Sequence, residues 1–301
     1  MRLSELGELG LLRELERRGL VDRIADDAAV VGGLVVTQDA LVESVHFRHE
    51  WTSWRDLGYK AAAVNLSDLA ASGAEPVGLV VSLGLRPDTA AADVVELYEG
   101  LNEPGVPVVG GDTTTACSTL LSVTALGRSE RVPERGGARP GDLLVVTGPL
   151  GASAAGFLSL RHGLGSPLET AHRRPPLRLA EGTELARHAH AMLDLSDGLA
   201  SDVRHLAERS GVRVVVDLDA VPVAAGVDEV ANRLGRDAVE MACGFGEDYE
   251  LLAAVSEPGR HTVVGRCETG SGVQLVRHGA PAAITGWEHF RAGEADLAPP
   301  G

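Results

Sequence analysis

The chain has 301 residues, 27 Lys+Arg against 43 Asp+Glu, and a formal net charge of −16. Such a balance argues against a nucleic-acid or anionic-lipid binder, because either partner calls for a basic face. Hydrophobic residues make up 44%, too many for a disordered chain, and no apolar run is long enough to cross a bilayer.

Aromatics are only 3%, so Val, Leu and Ala must fill the core. Charges are scattered through Met1–Leu20, which therefore does not read as a signal peptide. Leucines at 6, 9, 12 and 15 predict a helix from Ser4 to Arg18, stopped by Gly19. Ala29–Val31 and Leu34–Thr37 are predicted strands of a hairpin about Gly32-Gly33. A long helix is predicted from Ser53 to Ser72, with Ser53 and Asp56 at capping spacing and Gly73 as its end. Then come a buried strand Val77–Leu85, a helix Ala90–Asn102, a short strand Val106–Val109 ending at Gly110-Gly111-Asp112, and a strand Leu120–Leu126. Arg131–Asp142 is rich in Pro, Gly and Arg and predicts a boundary between a domain of residues 1–138 and one of 139–301. Beyond it, strands are predicted at Leu143–Thr147, Val212–Leu218, Glu250–Val255 and Thr262–Gly265, and helices at Ala152–Leu160, Leu177–His190 and Leu199–Ser210. The tail Glu294–Gly301 reads as loose. Both halves alternate strands and helices, which predicts a two-domain fold of mixed α and β class.

Cys117, Cys243 and Cys267 form no Cys-x-x-Cys, and they suit a reducing cytoplasm. Lys60 is the sole lysine and lies in neither a P-loop nor a kinase strand motif, so nucleotide chemistry would need another route. Aspartates, by contrast, gather where apolar segments end. Asp26-Asp27, Asp39, Asp68, Asp112, Asp194, Asp197 and Glu247-Asp248 all flank small or apolar residues. A single Asp there is ordinarily a turn residue or helix cap, which is the reading for Asp88, Asp217 and Asp237. Asp194-Leu195-Ser196-Asp197-Gly198 is different, because two carboxylates and a hydroxyl within five residues repel unless a cation joins them. Hard oxygen donors of this kind suit Mg²⁺ beside a phosphate. Gly110-Gly111-Asp112-Thr113-Thr114 could add backbone N–H groups for an anion and one more carboxylate. His188 and His190 read as the end of a surface helix, and His46 as a hydrogen-bonded histidine.

Five segments, in order, then carry a resemblance. They are Asp26-Asp27-Ala28-Ala29-Val30, Tyr59 through Ala70, Val109 through Thr114, Asp194 through Leu199, and Gly246-Glu247-Asp248-Tyr249-Glu250-Leu251. Together they resemble the thiamine-monophosphate kinase family, of the superfamily that includes aminoimidazole-ribotide synthetase, from about Ser4 to Phe290. The resemblance implies ATP-dependent phosphorylation of thiamine monophosphate to thiamine diphosphate, with several Mg²⁺ ions. It implies metal ligands at Asp27, Thr37, Asp39, Asp68, Asp112, Asp194 and Asp197, with Asp112 and Asp197 essential. It implies ATP contacts at Gly111, Asp112, Arg135, Ser196 and Tyr98, and thiamine-phosphate contacts at His46, Glu247 and Trp287. It also implies a homodimer whose N-terminal sheets complete a β-barrel, with ATP near that interface. Three departures stand out: Ala25 where the family has Gly, Thr37-Gln38-Asp39 where it has Ser-Thr-Asp, and a shortened stretch between Tyr98 and Gly110. Rival readings are weaker. There is no Cys before Cys117, as selenophosphate synthetase-like enzymes require, and the last residues are Pro299-Pro300-Gly301 rather than the Cys of hydrogenase-maturation relatives. Other purine-pathway relatives, or a regulatory module without turnover, complete the alternatives.

Overall fold

The structure is a computed structural model that describes residues 2–21 and 26–286. In chain order the N-terminal half runs α1 (Leu3–Arg17), β1 (Ala29–Val31), β2 (Leu34–Val42), α2 (Trp54–Ala71), β3 (Glu75–Leu85), α3 (Ala91–Asn102), β4 (Val108–Thr115) and β5 (Leu120–Arg128). The rest runs β6 (Leu143–Val146), α4 (Ala152–His162), α5 (Glu169–Arg173), α6 (Leu179–Ala186), β7 (Ala191–Asp194), α7 (Leu199–Ser210), β8 (Arg213–Asp217), α8 (Val227–Leu234), α9 (Ala238–Gly244), β9 (Leu251–Val255), β10 (Thr262–Glu268), β11 (Gly272–Arg277) and β12 (Ala280–Ala282). Among the described residues these strands form two sheets, ordered β1-β2-β5-β3-β4 and β12-β11-β8-β10-β6-β9-β7.

The helix α2 starts because the Ser53 hydroxyl accepts from the Asp56 amide at 3.1 Å, as the spacing predicts. It ends where Gly73 turns to φ 60°. Its Leu57, Ala61, Leu66 and Leu69 pack on Leu79, Val81, Leu121 and Val123 of the first sheet. Its last turn, Ala70 and Ala71, instead joins Val145, Leu251 and Ala253 of the second sheet. The helix thus bridges both sheets, which is why it is apolar on more than one face. Full burial of each leucine is worth about 1.5–3 kcal/mol. The second sheet has its own core, in which Val203 and Leu206 of α7 cover Leu193, Val214 and Leu252.

Two expectations are corrected. The predicted short strand at 106–109 is instead β4, which continues through Gly110-Gly111-Asp112 to Thr115, because β3 pairs with it in parallel along the whole stretch. The predicted helix Leu177–His190 is cut to α6, because residues 191–194 pair with β9 as β7. The first sheet is open among the described residues, with β1 and β4 at its edges, as a barrel completed only across two chains would require. The tail, Ala25 and Trp287 lie outside the described residues.

Candidate active site

One cavity of about 550 Å³ lies where α2, the first sheet and the β7–α7 turn meet. Asp27, Thr37, Asp39, His46, Asp68, Arg135, Asp194, Ser196, Asp197 and Glu247 all line it. Strand alternation explains part of this convergence. Val35, Thr37 and Leu41 of β2 are buried toward α2, which places Asp39 on that same face. Gln38 has the opposite parity, and its side chain is engaged by Ser122 and Thr124 of β5. The replacement at Gln38 therefore falls on the side of the strand facing away from the helix.

Two acidic groups stand out among the described residues. Carboxylate oxygens of Asp27, Asp68 and Asp194 lie within 4.8 Å of one another, and Asp197, Asp202 and His205 form a second such set. Burial, and then Asp39, Asp194 and Asp27 nearby, push Asp68 well above the ordinary carboxylate range. Burial and Asp27 raise Asp194 to about 8, against the lowering effect of the Ser67 hydroxyl, which donates to it at 2.6 Å. Burial also raises Asp27, although Arg135 donates to its carboxylate at 2.9 Å. Asp202, likewise buried beside Asp197, is raised well above its usual range. Carboxylates crowded in this way reject a shared negative charge unless a cation accompanies it. Hard oxygens from Asp27, Thr37, Asp39, Asp68, Asp194 and Asp197 fit Mg²⁺.

The turn that carries this chemistry is built by close backbone approach. A Cβ on Gly246 would meet the Ser196 carbonyl oxygen at 2.2 Å, and the Glu247 amide donates to that same oxygen at 2.8 Å. Glu247 itself sits at φ 56°, an uncommon value for a non-glycine residue. Burial alone would raise its carboxyl, yet Lys60 and His172 hold it well below the ordinary range. Phe157, Phe245, Trp51 and His172 line the cavity too, with the Phe157 and Phe245 ring centroids 5.1 Å apart.

Not every expected residue is gathered here. Asp112 pairs with Ser82, whose strand neighbours Val81 and Leu83 are buried toward α2, so Asp112 sits on the opposite face of the sheet. It is also three strands from β2, or about 14 Å at ~4.8 Å per strand. Gly111 shares that edge strand, and Tyr98 packs against the core of the first sheet. Sequence reasoning missed His172, Asp202 and the aromatic lining. It singled out Lys60 but gave it no role, because ion pairs across 187 residues leave no local spacing.

Two sheets joined by one helix around a large acidic cleft define a known class. Family models of AIR synthase related proteins match the chain, the N-terminal domain over residues 25–129 and the C-terminal domain over 139–273. A thiamine-monophosphate kinase of Aquifex aeolicus is 34% identical over 96% of this chain and 100% of its own length. One from Mycobacterium tuberculosis is 36% identical over 98% of this chain and 94% of its own. A solved structure of AaThiL complexed with AMPPCP and TMP superposes with a TM-score of 0.90 at 34% identity, covering 96% of this chain and 99% of that one. The chain belongs to the thiamine-monophosphate kinase family of the AIR synthase related proteins.

Proposed function

We propose that the protein transfers the γ-phosphoryl group of ATP to thiamine monophosphate, giving thiamine diphosphate and ADP. The observation that carries this reading is the convergence of Asp27, Asp68 and Asp194 in one cavity with His46 and Glu247. A phosphate monoester has a second pKa of about 6, so the acceptor oxygen is already ionised near neutrality. It needs no general base, and none is assigned. The task of the site is to bring two polyanions together, which is costly unless positive charge lies between them. Mg²⁺ held by Asp27, Thr37, Asp39, Asp68, Asp194 and Asp197 would supply that charge. Arg135, released from Asp27, donates to phosphate oxygens, and Ser196 offers a hydroxyl on the same turn. His46, Glu247 and Trp287 hold the acceptor. The result is direct in-line transfer governed by positioning and electrostatics.

Gly111, Asp112 and Tyr98 fit this scheme through a second copy of the chain. Among the described residues nothing pairs with the outer side of edge strand β4, and Val109, Val77 and Leu120 are exposed nearby at 60%, 46% and 38%. Joining two such edges in a homodimer would close a barrel and carry Asp112 of one copy toward the cleft of the other. We place the division between the two domains at residues 138–139, within the stretch between the family matches over 25–129 and 139–273, and the free cysteines suit a cytoplasmic setting. Purified protein given Mg-ATP and thiamine monophosphate should release ADP and thiamine diphosphate in equal amounts, and EDTA should stop it. ADP release that ignores thiamine monophosphate would refute the acceptor.

A further inference from the structure

The sole lysine of the chain is 1% exposed on α2, an environment that is unfavourable for an ammonium without partners. Its Nζ lies 3.1 Å from Glu247 Oε1 and donates to Oε2 at 3.2 Å. It also reaches the His46 carbonyl oxygen at 3.5 Å. Both partners line the cavity, and Lys60 does not. One ammonium therefore ties together two acceptor-contact candidates from opposite halves of the chain. On the same carboxylate, His172 Nδ1 stands 3.1 Å from Glu247 Oε2 and 3.1 Å from the Ser153 hydroxyl.

We propose that Lys60 is a positioning residue that clamps the Glu247 carboxylate and the His46 segment in the orientation that receives the organic part of the acceptor. This inference rests on the acceptor being thiamine monophosphate. The physical argument is one of strain and freedom. Glu247 is held at φ 56°, where an unrestrained glutamate would rarely stay. With Lys60 on both oxygens and His172 on one, the carboxylate is fixed at the wall of the cavity with acceptor capacity to spare. Removing the ammonium would leave this carboxylate, already 21% exposed, with His172 as its remaining side-chain partner among the described residues, free to turn or take up a proton. ATP, bound at the aspartate cluster, would not register that change.

The test is a double-mutant cycle on the full chain with Lys60→Met, Glu247→Gln and both together. Lys60→Met should raise KM for thiamine monophosphate on the order of tenfold, a hydrogen bond to a charged group being the unit lost, with KM for ATP and kcat changed less than twofold. In the Glu247→Gln background the same change should have little further effect on that KM. Lys60→Arg, which keeps the charge, should recover part of the loss. Equal effects of Lys60→Met on both substrates, or additive effects in the double variant, would overturn the proposal. Thermal melts of the four ligand-free proteins test the clamp independently of substrate. Non-additive Tm values support it, and additive ones overturn it. Wild-type protein inactive on thiamine monophosphate would instead refute the proposed function, leaving the clamp to be judged by the melts.

Discussion

At the scale of single residues, the site is a store of unfavourable charge. Asp68 is crowded by Asp39, Asp194 and Asp27 in a buried setting. Asp68→Asn should therefore lower kcat by about 10²–10³-fold while leaving the metal-free protein at least as stable as wild type. A large loss of Tm in EDTA would show that the carboxylate is structural instead. Asp194 supplies a pH signature. Its carboxyl is raised to about 8 in the folded, metal-free protein, against an unfolded value near ~3.9. The folded state then holds the extra proton, so this group's contribution to stability is present below pH ~4 and is lost as pH rises toward about 8. Mg²⁺ competes with that proton. Thermal melts from pH 5 to 8.5 should show Mg²⁺ stabilisation growing with pH, and Asp194→Asn should flatten the trend. A Tm increment independent of pH would contradict the assignment. Not all aspartates act this way: Asp237 accepts from the Val239 and Glu240 amides and simply caps α9, as its sequence context predicts.

At the scale of elements, close packing sets the position of the aspartates. The helices α2 and α3 meet through glycine. A Cβ on Gly58 would lie 1.9 Å from the Leu97 carbonyl oxygen, and one on Gly100 would lie 1.9 Å from that of Arg55. Gly58→Ala should force the two helices apart and destabilise by about 1–3 kcal/mol, read as a lower denaturation midpoint. Because α2 carries Lys60 and Asp68, activity should fall with it. Gly246→Ala should act more locally, since its Cβ would strike the Ser196 carbonyl at 2.2 Å and its φ is 90°. Here the expected outcome is a drop in kcat/KM larger than any loss of Tm. Unchanged kinetics would mean that the Ser196 turn tolerates displacement.

At the scale of the whole molecule, one chain brings Asp27, Asp39, Asp68, Asp194 and Asp197 to one cavity and leaves Asp112 on the far face of its sheet. If a second copy supplies Asp112, inactive Asp112→Asn and Asp68→Asn proteins should complement each other. Co-refolded in equal amounts they form mixed dimers with one intact site, so about a quarter of wild-type activity should return by symmetry. No recovery, with mixed dimers verified by mass, would place Asp112 in its own chain's site or outside catalysis. Sedimentation should show a dimer at micromolar concentration.

Much of this was legible in the amino-acid order, for identifiable reasons. Capping at Ser53, the Gly32-Gly33 hairpin and the period of α2 are local effects, set by residues a few positions apart. The candidate metal ligands were visible because carboxylates at the ends of apolar segments are unusual enough to stand out. Other features depended on chain contacts far apart. Whether Gly110-Gly111-Asp112 formed a turn or a strand was decided by pairing with β3. That Gln38 faces away while Thr37 faces α2 follows from strand parity once β2 is placed against β5. The role of Lys60 could not be read from its neighbours, since its partners at 46 and 247 meet it only when α2 is sandwiched between both halves. Sequence alone determined the donor types and the local elements, because these depend on short-range backbone and side-chain chemistry. Tertiary structure alone decided which donors share a cavity, because burial and like-charge crowding exist only after distant segments have been brought together.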